Sequence, residues 1–196
     1  IWQSCYMSSY WRNGPVLNNA ISGVDQALWD IKGKVAGMPV YELFGGKSRE
    51  AAAVYVIPRG RDRVEYEEHI RELLEQGFHH IKFGWGSLMA EEDKEYYQRT
   101  VITKKASIDG GSIIEATSIC RNIVQAFEQF RSTFGPNPEI LFDVKSPMPP
   151  IQGLALAKDV EQFKPFFLED LFAPEDNDYF RLVREQTSTP MAMGEL

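Results

Sequence analysis

The chain has 196 residues, 43% of them hydrophobic and 12% aromatic, and a formal net charge of −7. That is enough apolar material for a sizeable core, while the acidic balance and the lack of a broad basic patch argue against nucleic acid as a partner. No apolar run approaches the ~20 residues of a membrane span, and Cys5 and Cys120 offer neither a zinc motif nor a disulfide framework, so a cytoplasmic protein is expected.

No signal-peptide pattern opens the chain. It begins on Ile1-Trp2 without a methionine and stops one residue after Glu195, so it reads as a piece of something longer. Residues 1–15 are polar and aromatic and end in a turn signal, Arg12-Asn13-Gly14-Pro15. Ile21, Val24, Leu28, Ile31 and Val35 then recur at steps of three and four, which predicts a helix that Gly37 and Pro39 stop. Residues 52–57 read as a first strand, 65–76 as a helix, and His79-His80-Ile81-Lys82-Phe83-Gly84 as a second strand. The paired histidines resemble metal ligands. They stand at the start of their strand, however, and parallel βα arrays keep their chemistry at strand ends.

The stretch 86–112 is polar, contains Tyr96-Tyr97, and is too long for one βα connection, so it reads as a lid-like loop. Ile119, Ile123, Phe127 and Phe130 mark the next helix. Three apolar runs follow, each closed by an acid at Asp143, Glu169 and Glu195, with the helix-like segments 151–163 and 176–186 between them. The acids are 26 residues apart and 26 again. That rhythm predicts parallel strands whose C-terminal ends share one rim. Each acid alone could simply end a strand or cap a helix. Three together would repel one another, and a hard divalent cation with oxygen preference, Mg²⁺, relieves that. The expected fold is α/β, a truncated βα barrel with five strands ending at Ile57, Gly84, Asp143, Glu169 and Glu195.

Specific stretches resemble the enolase superfamily, and within it the mandelate racemase-like subgroup and the D-mannonate dehydratase (starvation-sensing) family. The carriers are Ala20-Ile21-Ser22-Gly23-Val24-Asp25-Gln26-Ala27-Leu28-Trp29-Asp30 and Pro39-Val40-Tyr41-Glu42-Leu43-Phe44-Gly45-Gly46, then Phe167-Leu168-Glu169-Asp170 and Thr189-Pro190-Met191-Ala192-Met193-Gly194-Glu195. The resemblance implies a (β/α)7β TIM-like barrel preceded by a cap domain. Residues 1–50 would be the end of the cap and its linking helix. Residues 51–196 would carry barrel strands one to five, with strands six to eight absent from this chain. It also implies Mg²⁺ on Asp143, Glu169 and Glu195, a sugar-acid substrate, and a homo-oligomer.

The implied chemistry is that of a hydro-lyase. A proton next to a carboxylate is removed, the metal stabilises the resulting enediolate, and water is eliminated. Two departures bear on this. Where the dehydratase family has a proton-donating histidine two residues after the first ligand, this chain has Lys145, which could donate a proton or hold the substrate carboxylate. Where the family has an arginine at the end of strand two, this chain has Lys82, without the second lysine of a Lys-x-Lys pair. Tyr97 or Tyr96 stands for the family's loop tyrosine, and any base on strands six or seven lies outside the chain. The alternatives are a racemase or epimerase of the same superfamily, or a degenerate metal-binding homologue acting as sensor or scaffold.

Overall fold

Residues 1–84, 116–145 and 148–194 are described by a computed structural model. The chain divides into two units, Ile1–Ala53 and Val54–Leu196. The division falls three residues after the expected 50/51, because sheet pairing in the second unit begins only at Val56.

The first unit holds α1 (Trp2–Ser8), α2 (Pro15–Ala36) and α3 (Val40–Leu43). Pro15 occupies the first turn of α2, where its missing N–H costs nothing. Gly37 ends the helix at φ +65, a conformation a side chain disfavours, and the Met38 N–H returns to the Gly33 carbonyl at 3.0 Å. Of the expected apolar stripe only Ile21 is buried within this unit; Val24, Ile31 and Val35 are exposed.

The second unit is a parallel sheet covered by helices. Its strands are β1 (His80–Gly84), β2 (Glu139–Asp143), β3 (Phe167–Glu169) and β4 (Met191–Ala192), hydrogen-bonded in chain order and all parallel. The expected strand over 52–57 is reduced to a single parallel bridge, Val56 to Ile81. Sequential order without reversal is the wall of a βα barrel; a doubly wound sheet would turn back on itself.

Helices α4 (Arg63–Glu75), α5 (Ala116–Phe134), α6 (Pro150–Asp159) and α7 (Tyr179–Arg184) connect the strands. The predicted segment 151–163 ends in a 3₁₀ turn, Glu161–Phe163. The segment 176–186 shortens to α7 after another, Pro174–Asp176. Asp62 caps α4 by accepting from the Glu65 N–H, and Tyr66, Ile70 and Leu73 turn inward at helical spacing. Ile119, Ile123, Phe127 and Phe130 of α5 are all buried.

Strand alternation decides which side chains the helices cover. Ile81, Phe83, Ile140, Phe142 and Leu168 join the core with α5 and α6. Phe83 is its hub, with ring centroids 5.2 Å from Phe127, 5.6 Å from Phe130 and 4.9 Å from Phe142. The alternate residues, Lys82, Asp143, Phe167 and Glu169, take the other face.

Candidate metal centre

The register sets the site. Gly84 pairs with Asp143 and Asp143 with Glu169, so two carboxylates end adjacent strands side by side. Lys82 starts two residues lower on β1, roughly 6.6 Å along the strand, and its four-carbon stem reaches up to both. The Lys82 Nζ lies 2.7 Å from Glu169 Oε1 and 3.1 Å from Asp143 Oδ2, and 5.4 Å from the centre of the Tyr55 ring. Lys82 and Asp143 are the buried charged residues among those described, 9% and 5% exposed. Burial, the largest single influence, pulls the Lys82 ammonium down. Its hydrogen bonds to Glu169 and Asp143, with their charges, more than reverse this and hold it above the ordinary lysine value.

Lys145 reaches Asp143 as well. It takes a left-handed backbone conformation, φ 58, just past β2. Its N–H donates to Asp143 Oδ1 at 3.2 Å and its Nζ stands 2.9 Å from Asp143 Oδ2. The side chain is half exposed.

Asp170 is a residue that sequence reasoning missed. Plain alternation would turn it away from Glu169, but its φ of 47 breaks the strand and brings its carboxylate back. Ligand oxygens of Asp143, Glu169 and Asp170 lie within 4.8 Å of one another. The signal was an aspartate directly after a strand-ending acid, a residue that enters the left-handed region readily. Tyr55 was missed too. Glu195 and Tyr97 lie outside the described residues. The paired histidines stand at the opposite end of β1, where His80 packs edge-on against Phe166 at 4.8 Å.

The arrangement fits a hard divalent cation. Its donors are all carboxylate oxygens, the set that Mg²⁺ takes. Glu169 Oε2 is buried with no hydrogen-bond partner among the described residues, and such an atom calls for a cation or a donor. Three carboxylates against two ammonium groups leave these five side chains at a formal −1. Among the described residues no helix is long and apolar enough to cross a membrane.

Comparison with known proteins gives a consistent outcome. The family described as "Enolase C-terminal domain-like" matches residues 65–196, and "Mandelate racemase / muconate lactonizing enzyme, N-terminal domain" matches residues 1–45. A D-galactonate dehydratase family member of Enterocloster bolteae is 44% identical over 196 residues, covering 100% of this chain and 48% of that protein. A D-mannonate dehydratase of Rhizorhabdus wittichii is 35% identical over 202 residues, covering 100% of this chain and 49% of the relative. A crystal structure of an enolase from Pantoea ananatis with bound D-gluconate and Mg matches with a TM-score of 0.81 at 39% identity, over 100% of this chain and 49% of that one. The chain spans about half the length of the curated relatives it matches.

Proposed function

The chain belongs to the mandelate racemase and muconate lactonizing enzyme group of the enolase superfamily, and on that premise we propose that it serves a Mg²⁺-dependent acid-sugar dehydratase of the mannonate dehydratase type. The observation that carries this reading is the meeting of Asp143 and Glu169 on adjacent strand ends, with Glu169 Oε2 buried and lacking a described partner. Asp143 and Glu169 would hold Mg²⁺, with Glu195 as the third carboxylate. When bound, the ion supplies positive charge to a substrate carboxylate, which makes the proton on the neighbouring carbon removable.

Lys145 is the proton donor of this reading. It is half exposed, so its ammonium can face a bound sugar acid, and donation to the departing hydroxyl needs a protonated group there. The same charge could instead hold the substrate carboxylate. Lys82 is buried, holds the two carboxylates together, and has less room to reach substrate. Tyr97 keeps its assignment as the loop tyrosine. A small sugar acid is the proposed partner, in a cytoplasmic homo-oligomer.

The test is product analysis on the full-length protein that carries this chain, with a panel of six-carbon sugar acids including D-mannonate, D-gluconate and D-galactonate, with and without Mg²⁺. Weak, Mg²⁺-dependent loss of water is expected. An inverted stereocentre without water loss would assign a racemase or epimerase. The ion pair between Lys145 and Asp143 favours a second reading, a metal-binding homologue that senses rather than catalyses. No turnover of any acid with Mg²⁺ bound would select it.

A further inference from the structure

We propose that Lys82 is a built-in competitor of the metal ion, occupying its two carboxylates until the divalent cation outbids it. This rests on the reading of Asp143 and Glu169 as metal ligands. Lys82 bridges carboxylates from two different strands, at 3.1 Å and 2.7 Å, and it is nine-tenths buried. An ammonium so placed holds one oxygen of each proposed ligand and repels a dication held within a few ångströms. Low solvent access keeps that repulsion from being screened.

Lys82 also offsets the repulsion between the two carboxylates. Asp143 and Glu169 are paired in register at neighbouring strand ends, so without a counter-charge they would push β2 and β3 apart. Lys82 closes that gap, and the Tyr55 ring gives its ammonium a further favourable contact. Binding of the ion has to displace Lys82 from these oxygens, which lowers the affinity of the site for the cation. Lys145 differs in its exposure. Its side chain is half exposed, so water and salt screen its charge and it should oppose the ion less.

Calorimetric titration of MgCl₂ into the intact wild-type chain and its Lys82→Met and Lys145→Met variants tests this. Lys82→Met is expected to bind Mg²⁺ at least about tenfold more tightly than wild type, and Lys145→Met less than about threefold more tightly. Equal or weaker binding by Lys82→Met, beside measurable wild-type binding, overturns the proposal and makes Lys82 a group that positions the ligands. Mg²⁺ binding by none of the three removes the metal reading itself, and the competitor with it. Circular dichroism monitors folding. If Lys82→Met does not fold, Lys82→Gln takes its place as a neutral, polar variant, and the same tightening is expected.

Discussion

At the N-terminal ends of β2 and β3, Arg131 sets its guanidinium among five backbone carbonyls, those of Phe163, Gly135, Pro136, Pro138 and Lys164. At the C-terminal ends of the same strands, Lys82 sets its ammonium between two carboxylates. The first cation is answered mainly by neutral dipoles, with the Glu139 charge adding to them. The Glu161 carboxylate nearby behaves likewise, accepting from the N–H and hydroxyl of Ser188 and the hydroxyl of Thr187. The second cation sits among full charges, and one carboxylate oxygen, Glu169 Oε2, is left over among the described groups. One end closes its polar groups to hold the loops; the other keeps charge in reserve. A barrel divides stability and chemistry between its ends in this way.

The sharpest way to break the contrast is to remove the reserve. The double variant Asp143→Asn, Glu169→Gln is expected to lose at least about 100-fold in Mg²⁺ affinity, or about 2.8 kcal/mol, by calorimetry. Its amide oxygens still accept from Lys82, but the buried ammonium loses its counter-charge, so unfolding stability should fall by about 3–5 kcal/mol. Unchanged affinity would remove the metal centre from this rim. Arg131→Met is the reciprocal experiment. It leaves five carbonyls without their donor and should cost about 2–3 kcal/mol in urea unfolding, with Mg²⁺ affinity within about twofold of wild type. A large loss of Mg²⁺ binding would show that the two ends are not independent.

How far the sequence foretold this differs between the ends. Spacing alone brought Asp143 and Glu169 to one rim, because strand ends in a parallel array are fixed by the repeat length. It could not bring Asp170 there, since that depends on a left-handed backbone at one residue, φ 47. Lys145 was expected near the site from alternation, yet it arrives through the same kind of turn, φ 58. The carbonyl cluster around Arg131 was invisible, because backbone acceptors carry no residue type. Helices show the same limit. Those at 15–36 and 116–134 read alike by periodicity, but only the second has its stripe covered within its own unit. Periodicity reports an apolar face and not what lies against it. The strand at 52–57 shrank to one bridge at Val56, because only that residue finds a parallel partner on β1.

The smallest expected effect concerns pH. Hydrogen bonds from the Ser188 hydroxyl, then from its N–H and the Thr187 hydroxyl, hold the Glu161 carboxyl below its ordinary value of 4.5. A depressed carboxylate stabilises the fold fully above its unfolded value and loses that contribution as pH falls through the folded one. The stability of wild type should therefore drop below about pH 4.5 with a slope that Glu161→Gln makes shallower, while the two proteins run parallel from pH 6 to 8. Acid titration followed by thermal unfolding measures the difference. The carboxylate is exposed enough for water to replace part of what Ser188 supplies, so the change should be smaller than that in Arg131→Met. Equal slopes would mean that Glu161 is held no better folded than unfolded. The N-terminal end would then owe its order to Arg131 and to the Thr189 hydroxyl, which donates to the Ala157 carbonyl at 2.8 Å.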